Sequence, residues 1–174
     1  ASYALKERYL VTFTGRSDAS SKFPKVNRVG YFPSLGLAWR ISEENFMQGI
    51  GWIDELKLRA SAGYTGTQNI GNNMFYTLYS PASYAGNNAL LPSQLGNDNI
   101  KWESTFQQDY GIDFALFNSR LRGSIGYYPK NTDGILIASA VPASSGFNSV
   151  IKNVANIQNK GVEIDITGEF IRNT

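Results

Sequence analysis

Hydrophobic and polar positions alternate along most of this chain, most regularly between Trp102 and Leu116. There Trp102, Phe106, Tyr110, Ile112, Phe114 and Leu116 occupy even positions, against Glu103, Thr105, Gln107, Asp109, Gly111, Asp113 and Ala115 on odd ones. A period of two belongs to a strand. Asn118-Ser119 then predicts a tight turn, and Leu121, Ile125 and Tyr127 oppose Arg122, Ser124, Gly126 and Tyr128 in a returning strand.

The same alternation recurs in weaker form. Arg8 to Arg16 sets Tyr9, Val11 and Phe13 against Arg8, Thr12, Thr14 and Arg16, with Leu10 off the pattern. Ser17 to Arg28 is polar and rich in turn formers, which predicts a loop. Tyr31, Leu35, Leu37, Trp39 and Ile41 then oppose Phe32, Ser34, Gly36, Ala38 and Arg40, with Pro33 expected near the strand's start. Ser42 to Asp54 reads as a connection with room for one helical turn capped by Ser42. A third strand runs from Leu56 to about Thr65, followed from Gly66 to Ile100 by the longest irregular stretch, with one strand expected around Met74 to Tyr79. Ile135 to Ile137 extends the outgoing hairpin strand, and Val141 to Ser149 forms a second polar loop. The last strand places Val162, Ile164, Ile166 and Phe170 opposite Glu163, Asp165, Thr167 and Glu169.

Strand length gives these faces their meaning. Ordinary strands average about five to six residues, whereas a tilted membrane-crossing strand needs about nine to eleven, and the Trp102–Leu116 run exceeds both. The apolar faces carry no Asp, Glu, Lys or Arg, and the opposite faces hold Arg8, Arg16, Arg40, Lys57, Arg59, Glu103, Asp109, Asp113, Arg122, Glu163, Asp165 and Glu169. Lipid on one side and a wet interior on the other accounts for this, with short turns at one rim and longer loops at the other. The prediction is an all-β fold, an antiparallel transmembrane β-barrel segment of about six or seven long strands. A soluble β-sandwich would segregate charge in the same way and stays open as the alternative.

Composition narrows the chemistry. The 174 residues include no Cys and no His, so disulfides, thiol chemistry and the commonest general base and metal ligand are missing. A net charge of +2 without a basic stripe argues against nucleic acid. No apolar run is long enough for a membrane helix, which leaves a barrel untouched. Glu103, Asp109 and Asp113 share a strand face and could act as paired carboxylates, but Arg59 and Arg122 offer them plain ion-pair partners. Gly63 to Gly71 has glycines like a phosphate loop without its Lys or helix. Trp39, Trp52 and Trp102 fit an interfacial girdle. Neither catalysis, a metal nor a cofactor is expected.

The segments RYLVTFTGRSDASSKF, GYFPSLGLAWRISEENF, LKLRASAGYTGTQNIG, IKWEST, LFNSRLRGSIGYY and NKGVEIDITG, in this order and spacing, resemble successive barrel strands of the SusC/RagA family of TonB-dependent outer-membrane transporters. The resemblance covers residues 1-174 almost throughout. Asp18-Ala19, where the family usually has Asp-Gly, and Pro129, where an acid is more typical, depart from its pattern. The resemblance implies part of a barrel of about twenty-two strands, with the plug domain, the TonB box and the remaining strands outside this sequence. It also implies import of oligosaccharides or peptides across the bacterial outer membrane, driven through TonB, with a SusD-like surface lipoprotein as partner and membrane lipid around the wall. A passive porin is the second alternative. Tyr76, Tyr79 and Tyr84 are the candidate substrate or partner contacts, weighed against ordinary loop packing.

Overall fold

The computed structural model describes residues 1–169. Seven of its nine strands form one antiparallel sheet: β1 (Ser2–Leu5), β2 (Tyr9–Ala19), β3 (Val29–Arg40), β4 (Ile53–Thr67), β7 (Glu103–Leu116), β8 (Leu121–Ala140) and β9 (Ser149–Gly168), in that spatial order. The sheet is open, an unclosed arc of barrel wall. The remaining two, β5 (Leu78–Tyr84) and β6 (Asn87–Gln94), pair only with each other. Phe170 lies outside the described residues.

Cross-strand register carries the alternation from strand to strand. Tyr9, Trp39, Leu58, Ile112, Ile125 and Ile164 form one continuous row, and Val11, Leu37, Ala60, Tyr110, Tyr127 and Val162 form the next. On the other face Lys57, Asp113, Ser124 and Asp165 align, as do Arg59, Gly111, Gly126 and Glu163. The apolar side chains stay exposed, among them Phe13, Ile112, Ile125 and Ile164. Among the described residues no second sheet covers them, so this is not a sandwich. A shallow trough runs between the two apolar rows, lined by Val11, Leu37, Leu58, Ile112 and Ile125, an apolar surface left open.

Connections alternate between two rims. Residues 6–8, 41–52 and 117–120 lie at one, and residues 20–28, 68–102 and 141–148 at the other. The 41–52 connection is longer than two of the loops opposite, so the asymmetry rests chiefly on 68–102. Strands β8 and β9, 20 residues each, add to it; at about 3.3 Å per residue they run about 65 Å, far beyond a bilayer.

Several local expectations change. β1 joins β2 through Lys6 and Glu7, both at positive φ, a primed turn written without the Gly or Asn that would have announced it. Asn118 and Ser119 make the expected turn with φ of 56° and 61°. Strand β2 runs on through Asp18 and Ala19, so the loop begins at Ser20, and those two residues pair with Gly30 and Val29. Pro33 sits inside β3, beside the point where the β3–β4 ladder stops at Ser34. Pro129 also lies in a strand, where the β7–β8 ladder skips two steps between the Gln107–Lys130 and Tyr110–Tyr127 pairs. A residue without an N–H is tolerated at such gaps. The stretch 66–100 holds a hairpin in place of one strand at Met74 to Tyr79, because Ala85 and Gly86 both adopt positive φ and close it. Ser42 caps nothing: it lies within the 3-10 turn Ile41–Glu43, its hydroxyl buried and unpaired.

The buried core is at the long-loop rim. Phe23, Ile70, Phe75 and Ile100 are enclosed, with Met74, Trp102, Leu136 and Ile151 against them. Trp102 leaves the apolar row to pack against Phe23 at 5.0 Å and edge-to-face with Phe32 at 5.7 Å, donating its indole N–H to the Arg28 carbonyl. It is no girdle residue, because it precedes β7 and is free of that strand's alternation. Trp39 and Trp52 do sit at the short-connection rim, stacked on Tyr9 and Phe117.

Asparagines fasten this core to the wall. Asn153 accepts from the Lys101 N–H at 3.0 Å and donates to the Lys101 and Gly134 carbonyls at 2.8 and 2.7 Å. Gly134, at φ 69°, stands in the irregular register between Thr132 and Leu136, and Glu103 accepts from the Leu136 N–H in the same place. Three hydrogen bonds at about 1 kcal/mol each predict that Asn153→Ala weakens this junction by about 2–3 kcal/mol. Hydrogen exchange of the Lys101 amide in the full-length protein should quicken accordingly, while amides near Ile112 keep their protection.

Candidate functional site

Two surfaces carry polar chemistry: the charged face of the sheet and the long-loop rim. On the first, Arg59 lies across Gly111, its register partner, where any Cβ would collide with the guanidinium. From there Nη1 reaches Asp109 at 3.0 Å and Nε reaches Asp113 at 3.2 Å, and Lys57 closes on Asp113 at 3.2 Å. Two cations and two carboxylates balance, half-buried. Asp109 and Asp113 are therefore ion-pair partners of one guanidinium, and Glu103 is spent on a backbone amide. Arg122, the other expected cation, instead donates to the Ser119 carbonyl at the turn.

Next to this network is a depression of about 400 Å³, lined by Thr12, Thr14, Ser34, Ser61, Thr65 and Gln107. Arg16 stands at its edge over the Phe32 ring, 5.6 Å from the centroid. Phe32 lies flat because Gly30 and Gly66 leave space for its ring. Hydroxyls, an amide and a guanidinium make this face suited to hydrogen bonding with polar groups in the lumen.

At the rim, the structure does not bring the three tyrosines together. Tyr76 precedes the hairpin and packs on Phe75 at 4.0 Å. Tyr79 lies near the start of β5 opposite Pro92, and Tyr84 ends that strand opposite Asn87, five residues on and so on the other face of the hairpin. Tyr84 is the most open of them, 80% exposed. Each presents a ring to solvent by itself, without a shared cleft.

Glu44 escaped the sequence analysis. It sits extended between two 3-10 turns at the short-connection rim, and its carboxylate receives the Tyr9 hydroxyl, the Trp39 indole N–H at 3.1 Å and Arg8 Nη1 at 3.2 Å. Tyr9 and Trp39 are paired across β2 and β3, so one acid ties two strands and a connection. No local signal marks it, since its partners come from elsewhere in the chain.

The hydrogen bond from Tyr9, followed by that from Trp39, holds the Glu44 carboxyl below its ordinary range. A carboxyl depressed in the folded state stabilises above its unfolded pKa and loses that contribution as pH falls through the folded one. Glu44→Gln should therefore lower the urea midpoint of the full-length protein at neutral pH. The two proteins should converge only at pH values below the usual carboxylate range, which a series of unfolding curves at successive pH values would show.

The whole chain matches known proteins. The family described as "TonB dependent receptor-like, beta-barrel" matches residues 1–173. TonB-dependent receptor P39 of Formosa agariphila is 42% identical over 98% of this chain, and TonB-dependent receptor SusC of Bacteroides thetaiotaomicron is 38% identical over 97%. The chain spans only 17% and 18% of those proteins. Solved structures of the RagAB peptide importer superimpose on 99% of it at 32% identity, with TM-scores of 0.90 in the open-open state and 0.89 in the closed-closed state, again over 19% of the matched chain. The siderophore receptor PirA from Pseudomonas aeruginosa, at 18% identity and TM-score 0.59, shares the fold alone. With its alternating rows, open seven-stranded arc and matches from end to end, the chain belongs to the TonB-dependent receptor β-barrel family, of the SusC and RagA kind.

Proposed function

We propose that this chain forms part of the wall and receiving rim of an outer-membrane importer energised through TonB, with oligosaccharides or peptides as cargo. The observation that carries this is the two-faced sheet, whose aligned rows set aromatic and aliphatic side chains on one face and the ion pairs of β4 and β7 on the other, as lipid outside and a wet lumen inside require. Similarity to a structure described as a peptide importer supports peptides, and exposed tyrosines with Asn and Gln side chains accommodate glycans equally well. A plug and a TonB box in the parent protein would make it an active importer, and their absence would make it a porin.

Under this proposal the rim formed by residues 20–28, 68–102 and 141–148 faces outward and meets cargo or a SusD-like surface lipoprotein. Tyr84, at the end of β5 beside the hairpin turn and 80% exposed, is the contact of choice, whereas Tyr76 is engaged with Phe75 and Tyr79 with Phe147.

Nitroxide labels at Ile112 and Ile125 in the reconstituted full-length protein should be relaxed by lipid-soluble oxygen, and a label at Ser61 by a water-soluble nickel chelate. The reverse pattern would overturn the face assignment. Replacing residues 79–93 with a short linker is the cleanest test of the rim. Leu78 and Gln94 are already paired, and Thr77, whose hydroxyl accepts from the Gly96 N–H, is kept. The expected outcome is weakened cargo uptake or lipoprotein association with normal assembly of the barrel in the membrane. Loss of the assembled barrel would show the hairpin to be part of the wall's folding unit.

A further inference from the structure

The β5–β6 hairpin stands on a fixed base. Below it, the Gln94 side chain donates to the Asn73 and Tyr76 carbonyls at 3.1 and 2.8 Å, and the Gly96 N–H donates to Thr77 Oγ1 at 3.0 Å. Gly96 is wedged against the Phe75 carbonyl and the Thr77 nitrogen with no room for a Cβ. Leu95 bridges to Val150 on β9, and Phe75 anchors the base in the rim core. These contacts tie residues 73–77 and 94–97 to the wall.

Just above them the ladder is broken. The register passes from Leu78–Gln94 to Tyr79–Pro92, leaving Ser93 without a partner, and Pro92 brings no N–H. An unpaired residue beside a proline is the weakest point of a two-stranded ribbon that is itself marginal in water. Beyond this break the hairpin rests on the 141–148 loop. Tyr79 and Phe147 approach ring to ring at 6.5 Å, and Gly146 comes so near Pro92 that a Cβ there would touch the proline ring. Tyr79 and Pro92 are register partners, so both contacts fall on one face of the hairpin. The loop presents Phe147 firmly: Gly146 is held at φ 78°, and Ser145 Oγ donates to the Pro142 carbonyl and accepts from the Phe147 N–H.

We propose that the β5–β6 hairpin is a two-position arm that pivots at the Ser93 break and is latched in the observed position by Phe147 against Tyr79, with Gly146 beside Pro92. The latch is a single solvent-exposed aromatic contact, Tyr79 being 57% open, so the released position is within thermal reach. Release would swing Tyr84 and Leu91 away from the 141–148 loop while the rim core stays closed. The arm would pivot whatever the rim receives.

The test uses pulsed dipolar spectroscopy on the full-length protein in a cysteine-free background. Nitroxides at Asn88 and Ala140 report the arm, and nitroxides at Asn72 and Ala140 report the base. Phe147→Ala should shift the ratio of latched to released arm distances by about two- to tenfold, the change expected from losing one aromatic pair. The base distance should stay fixed, and Phe147→Tyr should restore the original distribution. An arm distribution unmoved by Phe147→Ala would remove the latch. Equal broadening at arm and base would show that the rim loosens as a whole, which would overturn the pivot.

Discussion

A strand places successive side chains on opposite sides, so a pairing register slipped by one residue would exchange the two faces of the wall. This constraint governs the whole sheet. Six strands, β2 to β4 and β7 to β9, keep their aromatic and aliphatic positions in common rows, and Lys57, Arg59, Asp109, Asp113, Glu163 and Asp165 all fall on the other side. An Arg or Lys turned toward the middle of a bilayer costs about 2–4 kcal/mol, so slipping β4 alone would expose both of its cations to lipid. The Lys57–Asp113 and Arg59–Asp109 pairs add specificity to the same end, since they form only in the native register.

Glycine and a long neighbouring side chain work together on this sheet. Phe32 covers Gly30 and Gly66, and Arg59 covers Gly111. In both cases the missing Cβ is what lets a ring or guanidinium lie down on the backbone. For Phe32 this gives burial in a chain whose sheet faces are otherwise open, and for Arg59 it gives access to two carboxylates at once. Beside Arg59 the charged face is low over Gly36 and Gly63, which line the depression there, a shape suited to close approach by whatever occupies the lumen.

The long-loop rim follows ordinary globular rules. It has a small enclosed core of Phe23, Ile70, Phe75 and Ile100, and side-chain amides that close its backbone hydrogen bonds: Asn27 to the Ile100 carbonyl, Asn97 to the Ile151 carbonyl, and Asn153 to both polar groups of Lys101. Two loops, 20–28 and 68–102, thus pack as one unit against the extended β8–β9 pair. A rim built in this way holds the base of the β5–β6 hairpin against the wall, while the hairpin's outer part stands clear of the core.

The alternation by itself determined the long strands from β2 to β4 and from β7 to β9 and their two faces, because a period of two is local and each residue's face follows from counting. The open single-layered arc was settled by the pairing of those strands. The sequence also showed the Asn118–Ser119 turn and the shared face of Asp109 and Asp113, and the order of the motifs showed the family. Tertiary structure decided what depends on distant partners. The Lys6–Glu7 turn carries no glycine or asparagine signal, and the β5–β6 hairpin hides in a polar stretch whose strands are set by pairing with each other. Trp102 left its row because Phe23 and Phe32 offer it burial. Glu44 acquired its role from Tyr9, Trp39 and Arg8, residues in contact with it only after β2 and β3 pair. Hydrogen bonds and ring contacts between remote segments leave no periodic trace in a sequence, and at the rim such contacts are what hold the chain together.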